Sequence, residues 1–141
     1  MKSKILWSLA ILGITGFSVS ADPVKGLTSK PDLVIGAFID AQMHNDATLF
    51  DEIIDNNALI SVCRGKGILK YTKKQVVSFY KKIGTVNLNC ESDYQVLSQG
   101  DHAMVVRVDF KFYHFTQQNF IAIEKDKNGN WKVVNVNRFN I

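Results

Sequence analysis

The chain has 141 residues, 46% of them hydrophobic, with a formal net charge of +4. That length fits one domain with a real core. There is no Lys/Arg run and no basic helix face, so nucleic acid is excluded as an expected partner.

The first 21 residues have the pattern of an export signal. Met1–Lys4 is a basic start, Ile5–Phe17 an apolar stretch, and Val19-Ser20-Ala21 a small-residue cleavage site. The apolar stretch is short for a membrane span of about 20 residues. We therefore expect residues 1–21 to be removed, 22–31 to form a leader, and 32–141 to form the domain. Lys2 and Lys4 leave with the signal, so the 17 basic residues become 15 against 13 acidic ones. The expected product is exported, periplasmic or secreted, with no membrane association after signal removal. In an oxidising compartment Cys63 and Cys90 are expected to form a disulfide. Closing that loop would stabilise the fold by roughly 3–4 kcal/mol in the chain-entropy model. Two separate buried thiols are the alternative.

Ser29-Lys30-Pro31-Asp32 reads as a helix start, with Ser29 as cap and Pro31 in the first turn. Leu33, Val34, Ala37, Phe38 and Ala41 recur at helical spacing. Asn45-Asp46 ends this helix and caps a shorter one, whose apolar side is Leu49, Phe50, Ile53 and Ile54. Asp55-Asn56-Asn57 is expected to close it. Ala58–Arg64 reads as an interior strand, apolar on both faces. Gly65-Lys66-Gly67 turns it into a brief strand, Ile68–Tyr71. Thr72 and Gln75 form a capping box. Val76, Val77, Phe79, Tyr80 and Ile83 make the following helix amphipathic, and Gly84 stops it.

Tyr94–Ser98 is the next strand. Ala103–Phe115 alternates with period two: Met104, Val106, Val108, Phe110, Phe112 and His114 on one face, Val105, Arg107, Asp109, Lys111 and Tyr113 on the other. Gln117–Lys125 and Trp131–Ile141 follow, joined by the Asn128-Gly129 turn. Segregated helices and strands indicate an α+β fold rather than a βαβ sheet. The expected architecture is a curved antiparallel sheet of about six strands wrapped around three helices from the N-terminal half. Bent in this way the sheet forms a cone with a cavity at its wide end.

This element order, and the ending Gly129-Asn130-Trp131-Lys132-Val133-Val134-Asn135-Val136-Asn137-Arg138, resembles the nuclear transport factor 2-like (NTF2-like, cystatin-like) superfamily. The resemblance spans roughly residues 32 to 141. The superfamily includes SnoaL-like polyketide cyclases, ketosteroid isomerases and the association domain of calcium/calmodulin-dependent kinase. The leader and small size also resemble exported bacterial members, some labelled lumazine-binding. Many members end in Gly-x-Trp, two aliphatics and His-x-His. Asn135 and Asn137 stand at those His positions, and an amide cannot exchange protons near neutral pH. In the kinase association domain an Arg after the His-x-His binds carboxylates in the pocket. Arg138 matches it, and Arg107 matches a second pocket Arg approximately. Two guanidinium groups would suit an anionic ligand.

The ligand-binding candidates are therefore Phe38, Tyr80, Arg107, His114, Asn135, Asn137 and Arg138. Arg107 alternates with Asp109 and Lys111, a row that also suits a solvated sheet face. The expected function is non-catalytic binding of a small apolar or acidic ligand in the conical pocket. A lyase or isomerase working by proton transfer is the alternative, with Asp40, Tyr80, Asp109, Tyr113 and His114 as its raw materials. Its criterion is a pocket in which His114 or an Asp faces Tyr80. A third reading is a homodimer formed through the open sheet face. No residue spacing marks a catalytic set, and no cofactor is expected. His44, His102 and His114 lie on different elements, and Asp126–Asn130 is better explained as a hairpin turn than a calcium loop, so no metal site is expected.

Overall fold

The computed structural model describes residues 26–141. The expected export signal and most of the expected leader lie outside the described residues. Helix α1 (Pro31–His44) carries Pro in its first turn. Its cap residue is Lys30, which makes no side-chain capping bond. The expected cap, Ser29, instead donates from its hydroxyl to the Gly26 carbonyl at 2.6 Å. The helix ends at Asn45, in the left-handed region at φ 52°, a conformation that Asn tolerates. Asp46 then caps α2 (Ala47–Ile53) by accepting from the Leu49 amide.

Helix α2 runs straight into strand β1 (Ile54–Arg64), so Asp55-Asn56-Asn57 belongs to the strand and does not close the helix. A turn with Gly65 at φ 58° leads to β2 (Gly67–Thr72). Thr72 and Gln75 make the reciprocal capping box that starts α3 (Lys73–Ile83). Gly84, at φ 83°, ends it. The segment after Gly84 straps onto the end of α1: Val86 and Leu88 amides donate to the His44 and Met43 carbonyls, both at 3.0 Å. Those carbonyls would otherwise lack partners.

Strands β3 (Glu91–Gln99), β4 (Ala103–Lys111), β5 (Thr116–Lys125) and β6 (Trp131–Asn140) form an antiparallel meander. The six-stranded sheet has the order β2-β1-β6-β5-β4-β3. It is curved and unclosed. It is mixed rather than antiparallel throughout, because β1 and β6 pair in parallel. The meander returns the last strand beside β1, whose other edge is already taken by its hairpin partner β2.

One face of the sheet, here the inner face, packs on the helices. Val34, Ile35, Phe38 and Ala41 of α1 share a buried cluster with Val106 and Val108 of β4, Ile121 and Ile123 of β5, and Val133 and Val136 of β6. Burying side chains of this kind contributes about 1.5–3 kcal/mol each relative to exposure. Among the described residues no helix packs on the outer face.

A β-bulge fixes what β6 presents to each side. Ile123 pairs with Val133 but Ala122 pairs with Asn135, so Val134 is an extra residue. An inserted residue reverses the facing of everything beyond it. Val133 and Val136 both point inward, followed on that side by Arg138 and Asn140, and Asn135 and Asn137 point outward.

Candidate functional site

A cavity of about 420 Å³ lies between the inner face of β1 and β6 and the helices. Phe38, Phe50, Ile60, Val62, Tyr71, Val76, Phe79, Tyr80 and Val136 give it aromatic and aliphatic walls. Gln42, Gln75, Gln117 and Asn140 add neutral amides. Arg64 and Arg138 are the charged side chains of the lining, and no Asp, Glu or His is among them.

Arg138 is the organising group. Sheet register places it opposite Asn119 of β5 and beside Val62 of β1. Its Nε donates to Asn119 Oδ1 at 2.8 Å, and its Nη2 donates to Gln42 Oε1 at 3.0 Å. Asn119 is fully buried. Its amide nitrogen donates back to Gln117 Oε1 at 3.3 Å and, at a long 3.5 Å, towards the Val108 carbonyl. The Asn119 oxygen is thereby aimed at the guanidinium. Both of these acceptors are neutral, and among the described residues Arg138 makes no ion pair. Burial lowers the Arg138 pKa from its ordinary value, and the nearby Tyr80 phenol opposes that shift. Burial likewise raises the Tyr80 pKa, while the Arg138 charge and polar contacts from Gln42 and Arg138 pull it partly back. Tyr80 is therefore a neutral hydroxyl at physiological pH, held in place by an edge-on contact with Phe50 at 5.2 Å between ring centres.

Of the residues singled out from sequence, the cavity brings together Phe38, Tyr80 and Arg138. The other four lie elsewhere. Arg107 is on the outer face, 3.3 Å from the carboxylate of Asp109. Asn135 and Asn137 are also outward, and Asn137 Nδ2 donates to Asn135 Oδ1 at 2.8 Å. His114 is exposed in the β4–β5 turn, edge-on to Tyr113. The strand expected to run to Phe115 stops at Lys111, because the Phe112 amide bonds to the Phe115 carbonyl and reverses the chain. His114 and Asp109 are thus separated from Tyr80, and the proton-transfer criterion is not met in this cavity.

Gln42, Asn119 and Arg64 were not anticipated. Gln42 is four residues after Phe38 and so shares its helical face. Asn119 continues the inward alternation of Ile121 and Ile123. Arg64 follows Ile60 and Val62 on the inner side of β1.

Cys63 and Cys90 are free thiols, so the expected disulfide is not formed. Cys63 alternates with the inward Val62 and so faces outward. Cys90 precedes β3 and donates to the Met43 sulfur of α1 at 3.3 Å. The two strands are four positions apart in the sheet. Neighbouring strands are about 4.8 Å apart, and a disulfide tolerates about 7 Å between Cα atoms. No group of three or more His, Cys, Asp or Glu converges as a metal site among the described residues. The Asp126–Asn130 segment is a turn in which Asp126 Oδ1 accepts from the Asn128 and Asn130 amides.

Solved structures with a similar fold include an NTF2-like protein of unknown function from Silicibacter pomeroyi. It has 11% identity and a TM-score of 0.66, over 78% of this chain and 92% of the other. The chain has the NTF2-like fold. A second NTF2-like protein of unknown function, from Methylobacillus flagellatus, matches at 17% identity and a TM-score of 0.65, covering 87% of this chain and 95% of the other. A ketosteroid isomerase-like protein from Erwinia carotovora atroseptica matches at 13% identity and 0.61, covering 78% and 92%. No family model matches the sequence, and no curated protein matches it. At these identities the likeness concerns the NTF2-like fold, and the chemistry has to be read from the cavity itself.

Proposed function

We propose that this NTF2-like protein is exported and binds a small apolar or aromatic acid in its cavity without transforming it. The observation that carries the reading is Arg138: a half-buried guanidinium held by neutral amides, without a carboxylate partner among the described residues, at the wall of an otherwise aromatic and aliphatic pocket. An Arg carries five N–H donors, and Asn119 and Gln42 each take one. The remainder, together with a neutral Tyr80 hydroxyl, suit a ligand carboxylate. Pockets of a few hundred Å³ with apolar walls and few polar groups are typical of small-molecule sites. The proton-transfer alternative needs a base, and the lining supplies no carboxylate and no imidazole.

The test is calorimetric titration of the purified protein with naphthoate, beside Arg138→Gln. Binding by the parent chain and loss of at least about tenfold in the variant is expected for a charge-assisted contact. Equal affinity in both would overturn the reading. Native mass spectrometry of the protein from its host would identify the natural ligand.

A homodimer through the outer sheet face is a second proposal. Leu59, Val105 and Phe139 stand on that face at 37%, 40% and 38% exposure. Phe120 and Phe139 form an edge-on pair there at 5.7 Å. Light scattering should give twice the chain mass, reduced to one by Phe139→Asp; a monomeric parent chain would refute it.

A further inference from the structure

The cavity has a second cation whose position follows from strand register. Arg138 on β6 lies opposite Val62 on β1, and the strands are parallel. Arg64 is two residues beyond Val62, on the same inner face, and also lines the cavity. Strand rise and spacing put the two Cα atoms about 8 Å apart. They differ in setting. Arg138 is half-buried and held by Asn119 and Gln42. Arg64 is exposed at the end of its strand and makes no ion pair among the described residues. No acidic side chain of the lining offsets either charge.

We propose that the ligand is a dianion, a rigid dicarboxylic acid whose inner carboxylate meets Arg138 and whose outer carboxylate meets Arg64 at the mouth. The proposal rests on the acid-binding reading above and adds its specificity determinant. An apolar acid with one carboxylate would fill the walls and engage Arg138 alone, leaving Arg64 in water. A second carboxylate across a planar spacer spans the gap between the two guanidinium groups. The phenol of Tyr71 and the amide of Gln75, also in the lining, give the rim a polar character that suits a charged outer end.

The experiment compares naphthoate with a naphthalene dicarboxylate by calorimetry on the parent chain, Arg64→Gln and Arg138→Gln. The diacid should bind the parent chain about three- to fivefold more tightly at low ionic strength, the scale of one partly exposed ion pair. Arg64→Gln should erase that preference, weakening the diacid several-fold more than naphthoate. Arg138→Gln should weaken both acids. A diacid no tighter than the monoacid in the parent chain, or a preference that survives in Arg64→Gln, overturns the dianion proposal while acid binding stands. Absence of binding by either acid, or binding indifferent to Arg138→Gln, overturns both. Arg64 is exposed, so its replacement leaves folding intact, which an unchanged denaturation midpoint checks directly.

Discussion

Asn119 and Arg138 face each other across β5 and β6, and the fully buried Asn119 side chain accepts the Arg138 Nε proton at 2.8 Å. This pair links the sheet to the pocket: register brings the residues together, and the amide orients the cation.

Replacing Asn119 by Leu should remove the acceptor and leave a buried donor without a partner. Such a loss costs about 1–3 kcal/mol. Urea denaturation should show a lower midpoint with an unchanged slope. Asn119→Asp should behave differently. Its carboxylate would neutralise Arg138 within the cavity, so folding should persist while affinity for acids falls. Retained acid affinity in Asn119→Asp would contradict the role given to the guanidinium.

Tyr80 carries a pH consequence. Its folded pKa is raised above 10.0, with burial the largest cause. An acid with a raised folded pKa contributes stability that is fully present below its unfolded value and lost as pH rises through the folded one. Stability should therefore fall above pH 10, and phenolate absorbance should show one ionisation later than that of a free tyrosine. Tyr80→Phe should remove this late step; its persistence would assign the shift elsewhere.

The thiols give a chemical test. Denatured, unreduced protein should titrate two free thiols, from Cys63 and Cys90. In the folded protein Cys90 should react slowly at mildly alkaline pH, because burial raises its pKa. Finding no free thiol after denaturation would mean the bridge forms.

Helix α3 depends on its capping box. Thr72→Ala removes the acceptor for the Gln75 amide, a 3.2 Å bond. The expected loss is about 1 kcal/mol, read as a lower denaturation midpoint. Because α3 supplies Tyr80, Phe79 and Val76 to the cavity wall, acid affinity should fall with it.

Much of the fold was legible because local signals and tertiary demands agree. The capping box, the stop at Gly84 and the turn at Gly129, with φ 82°, each need only neighbouring residues. The clean alternation of Ala103–Lys111 reflects one helix-packed face and one open face. The site was less legible for two reasons. Phe112, Tyr113 and Phe115 have high strand propensity, yet with His114 they form a turn stabilised by stacked Phe112 and Phe115 rings at 4.8 Å. Side-chain packing overrode the pattern, and His114 left the sheet. In β6 the extra residue is invisible to periodicity. Trp131 and Val133 indicate one facing, Val134 and Val136 the other, and only the partner strand decides between them.

The bulge at Val134 acts as a reading-frame shift in three dimensions. Deleting that single residue would restore strict alternation and leave Val136 and Arg138 facing inward, because their partners on β5 stay the same. Flattening the bulge with Val134 retained would instead turn the end of the strand by half a turn. Asn135 and Asn137 would then replace Val136 and Arg138 in the cavity, exchanging a cationic pocket for a neutral amide one without any substitution. In this scaffold, ligand charge is a variable that one bulge sets.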